Sequence, residues 1–475
     1  MDRDEFRKFG YELIDWIAEY YDTIENHPVK SRVKPREVMD KLPPNPPNAG
    51  ESFENIMEDF KNIILPGITH WQSPNFFAYF PANSSMPSIL AELLTSALAV
   101  QGMVWETSPA ATELEELVMN WLKEMTGIPV YFHGVIQDTA STATLVALLS
   151  AREKITSFDV NESGFQSNKY RVYCSTEAHS SIEKAVKVAG FGRKSLRRIQ
   201  VDEQLRMIPE ELEKYIQSDI KNGFIPACVV SAIGTTGTVA IDPLQSVAEI
   251  CKKYSVWHHV DAAYAGSAMI IEENRKFIEG IEEADSYVFN PHKWMFTNFD
   301  CSAYFVKDKE ILIRTFEIMP EYLKTAADNQ VNNYRDWGIQ LGRRFRALKL
   351  WFVIRSMGVE GIKEKIRNHI TWAKEFAEEI RKEKHFEIHE PQNLGLVCFR
   401  LHLPSVPDQE KRNQINKRFL ETINNTGKAY LSHTKVHGEF TLRFVVAQTN
   451  VTRDHVWNAW KMIKEIAEKF SKNEQ

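Results

Sequence analysis

Cysteine is scarce in this chain: five residues of 475 (Cys174, Cys228, Cys251, Cys301 and Cys398), odd in number, scattered and never in a Cys-x-x-Cys pair. That excludes a disulfide scaffold and a cysteine zinc cluster, and the five read as reduced packing residues. An excess of one charge is missing too. The 58 basic against 64 acidic residues leave a net charge of -6, which gives no electrostatic case for nucleic acid or an anionic membrane, so a small molecule is the expected partner. Long apolar runs are also lacking. The chain opens on Met1-Asp2-Arg3-Asp4-Glu5-Phe6, and the stretch from Ser88 to Trp105 is broken by Glu92, Thr95, Ser96 and Gln101. Neither a signal peptide nor a membrane span is read, and a cytoplasmic compartment is expected. His433 and His437 are spaced as metal ligands can be, but no cysteine or carboxylate cluster joins them, so no metal centre is expected. What the chain does have is length and 43% hydrophobic residues, enough for two or three domains with large cores.

The most informative stretch is Phe289-Asn290-Pro291-His292-Lys293-Trp294, which sets one lysine just beyond an apolar run. Confinement beside apolar and cationic groups favours the neutral amine, and a neutral amine can condense with an aldehyde. Upstream, Trp257-His258-His259-Val260-Asp261-Ala262-Ala263-Tyr264 reads as a buried strand with an aspartate at its carboxyl end. A buried carboxylate is costly unless it meets a cation, and pyridoxal phosphate (PLP) offers a pyridinium nitrogen as well as an aldehyde. His258 and His259 alternate faces of that strand and cannot both enter one site.

With these residues the chain closely resembles the group II pyridoxal-phosphate decarboxylases, and within them the aromatic-L-amino-acid decarboxylases, over nearly its whole length. The resemblance implies an α/β, fold-type I enzyme, similar to aspartate aminotransferase. It implies a mainly parallel seven-stranded sheet in a large PLP-binding domain (86–346), a smaller C-terminal α+β domain (347–475) and an N-terminal helical segment (1–85). The alternation of strand and helix from Val135 to Val306 independently implies a parallel sheet with right-handed crossovers.

Phe6, Phe9, Leu13, Ile17, Tyr20 and Ile24 recur at helical spacing and need a surface to cover them. The stiff linker Leu42-Pro43-Pro44-Asn45-Pro46-Pro47 carries the segment outward. The family implies that the surface belongs to the other protomer of a homodimer, while docking on the same subunit stays open. The passage from Pro66 to Pro81 is too aromatic and proline-broken for a regular helix or central strand. By resemblance Trp71, Tyr79, Phe80 and Pro81 line the substrate pocket with Gln101, Met103 and Gly342, although interdomain core would use the same aromatic residues. Ala82 stands where the family has threonine.

Val135 to Ala151 reads as an apolar run, a cluster of small hydroxyl residues and a helix, the form of an anion site, though such residues also cap helices for structural reasons alone. The family assigns phosphate to Thr139, Ala140, Ser141 and Asn290. Asp138 departs from the family's glycine, and is expected to cap the backbone or to pair elsewhere, since a carboxylate repels a phosphate. His179 matches the histidine that stacks on the cofactor ring, with Ala263 on the other face, and Thr236 lies near the phenolic oxygen. Lys293 is the covalent anchor, Asp261 the partner of the pyridine nitrogen and His292 a further cofactor contact. Tyr322, in the polar passage from Phe316 to Trp337, matches the tyrosine of a catalytic loop. The implied reaction is decarboxylation of an aromatic L-amino acid such as tryptophan, 5-hydroxytryptophan, tyrosine, dopa or phenylalanine to the arylalkylamine. Aromatic acetaldehyde synthesis on the same scaffold, and a non-catalytic PLP-binding protein, are the alternatives.

Overall fold

The structure is a computed structural model describing residues 1–167, 169–318 and 330–473. Along it run the strands β1 (Phe76–Phe77), β2 (His133–Gln137), β3 (Tyr170–Ser175), β4 (Leu196–Ile199), β5 (Ile225–Ala232), β6 (Trp257–Asp261), β7 (Ser286–Phe289), β8 (Ser302–Val306), β9 (Phe386–Ile388), β10 (Leu396–Leu401), β11 (Tyr430–Val436) and β12 (Glu439–Val445). They fall into two sheets.

The larger compact unit, Ala82–Lys374 with His389–Cys398, holds the seven-stranded sheet in the order β2-β8-β7-β6-β5-β3-β4. Strands β4, β3, β5, β6 and β7 are mutually parallel, whereas β8 is antiparallel to both β7 and β2. It follows that β2 runs in the direction of β7. Strands β7 and β8 are buried along their whole length, as a sheet covered on both faces requires. The helix Ala140–Ile155 sets Ala143, Ala147 and Ala151 against Val172, Val230 and Val288 of the sheet. Methyl side chains at that spacing let the helix axis approach the sheet closely. The mainly parallel seven-stranded sheet and the α/β class are those expected from the sequence.

His258 and His259 occupy the middle of β6, both fully buried, and burial pushes each down to about 3. They are neutral, and they point apart as the alternation demands: His258 Nε2 meets Ser231 Oγ at 2.9 Å, His259 Nδ1 meets Ser286 Oγ at 2.9 Å. Both are structural hydrogen-bonding groups within the sheet.

The second unit comprises Met1–Pro81, Glu375–Ile388 and the chain from Phe399 onward, so the first 81 residues group with the C-terminal elements. Its sheet has the order β1-β11-β12-β10-β9, with β1 a two-residue edge strand parallel to β11. Phe444 packs on Phe77 and Phe376 at ring separations of 4.0 and 4.3 Å. The first helix, Arg3–Thr23, begins in a capping box formed by Asp2 and Glu5, yet Phe9 is its one buried residue. Among the described residues, no helix is long and apolar enough to cross a membrane.

Candidate active site at one edge of the sheet

Because β2 shares the direction of the parallel strands, the carboxyl ends of β2, β3, β5, β6 and β7 all leave the same edge of the sheet. Open α/β sheets build sites there. The segments that leave it carry Thr139–Ser141, His179, Thr236, Asp261 with Ala263, and Asn290–Lys293, so topology alone collects the cofactor candidates foreseen from the sequence.

The lysine loop is held by packing. Lys293 lies in the short helix Pro291–Trp294, whose proline is at the start. Trp294 is fully buried, stacks on Tyr264 at 4.4 Å and donates from Nε1 to His369 Nδ1 at 3.0 Å. His292 is buried too, and burial with the Lys293 charge beside it lowers its pKa to about 3. Cys301 N–H donates to His292 Nδ1 at 3.0 Å, so the ring proton sits on Nε2. Asn290 Oδ1 accepts from Ser302 Oγ at 2.5 Å, which leaves Nδ2 as the side chain's donor. The turn after Asp261 lies directly against this loop: a Cβ on Gly266 would collide with Phe289 and come within 2.7 Å of Tyr287 Oη.

Asp261 ends β6 on the strand next to β7, about 5 Å away in the pairing direction. Its Oδ1 accepts from Ala263 N–H at 3.0 Å. The ring of His179 is open to solvent, though the protein around it desolvates its cationic form. That desolvation lowers its pKa, the Lys293 charge adds to the effect and the Asp261 carboxylate opposes it. The three groups therefore share one electrostatic neighbourhood. Ser181 N–H donates to His179 Nδ1 at 3.2 Å, and Ser181 Oγ is 2.7 Å away, so neutral His179 carries its proton on Nε2.

The third component is the start of the helix Ala140–Ile155. Thr139 is its N-cap, accepting from Thr142 N–H at 3.4 Å. Ala140 is buried and Ser141 exposed. Their amides belong to the first helical turn, which lacks intrahelical acceptors and carries the positive end of the dipole. Asp138 does both things expected of it: Oδ1 takes Thr139 N–H at 2.5 Å and Oδ2 takes Gln340 Nε2 at 3.0 Å. A primary amine, a carboxylate on the neighbouring strand and outward helix amides suit the donor set of PLP: aldehyde, pyridinium and phosphate.

Thr236 is exposed in the turn after β5, where Thr235 Oγ1 caps Ala240 N–H at 3.1 Å. Gly342 and Gln101 are adjacent: a Cβ on Gly342 would lie 3.3 Å from Gln101 Nε2, while Gln101 Oε1 accepts from Arg343 N–H at 3.0 Å. The Met103 carbonyl accepts from Arg335 N–H at 2.9 Å. Ala82 begins the same unit. Trp71, Tyr79, Phe80 and Pro81 belong to the other unit, where Trp71 stacks on Phe76 and Tyr79 at 4.5 and 5.7 Å and Arg443 lies over the Phe80 ring at 5.2 Å. Tyr79 adopts φ 52, a left-handed conformation rare for a bulky residue. Tyr322 lies outside the described residues.

Sequence reasoning missed Asn83. It is buried, donates its own N–H to the His292 carbonyl at 2.9 Å and gives Nδ2 to the Lys293 carbonyl. More than two hundred residues separate these partners, and no local pattern marks the asparagine.

Comparison with known proteins identifies the family. Residues 35–402 match the pyridoxal-dependent decarboxylase conserved domain. Tyrosine decarboxylase 2 of Narcissus pseudonarcissus is 42% identical over 98% of this chain and 95% of its own, and phenylacetaldehyde synthase of Arabidopsis thaliana is 42% identical over 98% and 96%. Among solved structures, Oryza sativa TDC with PLP and tryptamine superimposes with a TM-score of 0.95 at 37% identity, covering 99% of each chain. Catharanthus roseus tryptophan decarboxylase in complex with L-tryptophan gives 0.93 at 37% identity, also covering 99% of each. The chain belongs to the pyridoxal-dependent decarboxylase family.

Proposed function

We propose that this protein converts an aromatic L-amino acid to its arylalkylamine and carbon dioxide. The observation that carries the reading is the convergence of Lys293, Asp261 and His179 on one sheet edge in a chain whose relatives include tyrosine and tryptophan decarboxylases. PLP, when bound, supplies an electron sink for the bond that breaks. Lys293 is the amine that would hold the cofactor's aldehyde. Asp261 keeps the proton on the pyridine nitrogen. His179 and Ala263 would hold the cofactor ring between an imidazole and a methyl group, with Thr236 and His292 as neighbours. Thr139, Ala140, Ser141 and Asn290 would grip the phosphate, Ser141 and Asn290 by side chain and Ala140 by its amide. Ala82, Gln101, Met103 and Gly342 are the substrate-binding candidates of the larger unit, and Trp71, Tyr79, Phe80 and Pro81 those of the smaller one. Tyr322 delivers the proton that the α-carbon takes up once carbon dioxide has left, with His179 Nε2–H assisting its reprotonation.

The protein acts in the cytoplasm as a homodimer. The helix Met86–Leu98 leaves Leu90, Leu93, Leu94 and Leu98 between 45% and 60% exposed, and Phe6 on the first helix is 65% exposed. Exposed apolar side chains of this kind suit an interface, with the N-terminal segment 1–85 lying on the partner, 86–346 as the PLP-binding domain and 347–475 as the C-terminal one.

Aldehyde synthesis is the second reading, favoured by the 42% identity to phenylacetaldehyde synthases. Carbon dioxide release from tryptophan, tyrosine and dopa, with the organic product identified, tests both. Amine with no oxygen uptake is expected; aldehyde with ammonia and peroxide would favour the second, and no release from any substrate would sink the first. Tyr322→Phe should keep carbon dioxide release while moving product toward aldehyde, with hydrogen peroxide rising in step. Loss of release without aldehyde would leave Tyr322 a packing residue.

A further inference from the structure

A carboxylate is the wrong charge for the entrance of an anion cradle, so what Asp138 does there needs a reason. Its Oδ1 accepts from Thr139 N–H at 2.5 Å and from Thr139 Oγ1 at 3.3 Å, and its Oδ2 accepts from Gln340 Nε2 at 3.0 Å. The Thr139 amide is thus consumed inside the protein, one donor fewer for any anion placed over Ala140 and Ser141. Among the described residues no cation is paired with this carboxylate. Gln340 is a neutral donor, and Arg346, the cation that feels the Asp138 charge, is bound to Asp300 at 2.8 Å. The positive end of the Ala140–Ile155 helix and the Asp138 carboxylate therefore act in opposition on the same spot.

We propose that Asp138 is a positioning residue that sets the cofactor's grip by weakening the phosphate cradle, through withdrawal of the Thr139 amide and through its own charge. The consequence is a protein that exchanges PLP with solution more readily than the same cradle would with a neutral residue at 138. Gln340 donates to the other carboxylate oxygen and draws off part of its charge density. The inference rests on the reading that Thr139–Ser141 hold the phosphate.

The test is equilibrium titration of the full-length apoprotein, followed by tryptophan fluorescence, with PLP and in parallel with pyridoxal, which has the aldehyde and ring but no phosphate. Asp138→Asn should tighten PLP by roughly tenfold, the order expected for removing one half-exposed charge beside a dianion, and leave pyridoxal unchanged. Inorganic phosphate should compete more strongly in the variant by a similar factor. Asp138→Gly, which removes the side chain altogether, must move in the same direction and guards against a variant that folds poorly. Gln340→Leu, which keeps the carboxylate and removes its donor, should weaken PLP and spare pyridoxal. Equal changes for PLP and pyridoxal, or no change for either, would overturn the proposal. Ser141→Ala separates this from the reading beneath it. If Ser141→Ala weakens PLP alone while Asp138→Asn is inert, the cradle stands and the role of Asp138 falls; if Ser141→Ala is inert for both ligands, the cradle itself is misplaced.

Discussion

The loop that delivers Lys293 and the loop that opens the helix at Ala140 leave the same edge of one sheet, but they are fixed by different forces. The first is immobilised by apolar burial: Trp294 on Tyr264, His292 beneath the Cys301 amide, Gly266 admitting the close approach of Phe289. The second is half-exposed and fixed by polar contacts, Thr139 on Thr142 and Asp138 on Gln340. A covalent anchor must return to one position in every turnover, and close packing provides that with side chains in few rotamers. The backbone amides and helix dipole of the anion cradle stay in place when the Asp138 side chain is replaced, and only the strength of the grip changes. Substitution is therefore tolerated at 138 in a way that it would not be at 294.

Variants that separate anchoring from folding sharpen this contrast most. Lys293→Ala should abolish the cofactor's visible absorbance and essentially all turnover, with the fold intact by circular dichroism; an unchanged visible band would remove Lys293 as the anchor. Trp294→Ala leaves the lysine in place but empties a fully buried site, and should cost about 3–5 kcal/mol, read as an earlier denaturation midpoint. If that variant were as stable as the parent, packing would not be what fixes the lysine loop. Thr139→Ala, on the polar side of the comparison, should cost only about 1 kcal/mol through loss of a long cap bond. A loss as large as that of Trp294→Ala would erase the distinction.

Much of this edge was readable before any coordinates. Apolar runs ending in Asp261 or Phe289 announce buried strands, and their alternation with helices announces a parallel sheet, because both signals are local. The direction of β8 was not readable: Ser302–Val306 is as apolar as its neighbours, and only pairing with β7 and β2 reveals that it runs back and so brings the Ala140 helix to the right edge. Asn83 and Gln340 escaped for a related reason. Each acts on a partner some two hundred residues away, and an isolated polar side chain carries no period. The break at Gly358 in the helix Arg346–Lys382, with φ 68 and ψ 163, depends on a conformation that glycine permits without announcing.

The five cysteines have a practical consequence. All are free and all are buried, and burial raises the thiols of Cys174 and Cys301 to about 12. Since the thiolate is the reactive form, an alkylating reagent meets almost no target in the native protein. Molecules that open fully, in contrast, expose five targets at once. Brief treatment with iodoacetamide followed by mass spectrometry should therefore yield two populations, unmodified and fivefold modified, and their ratio would count the unfolded fraction molecule by molecule.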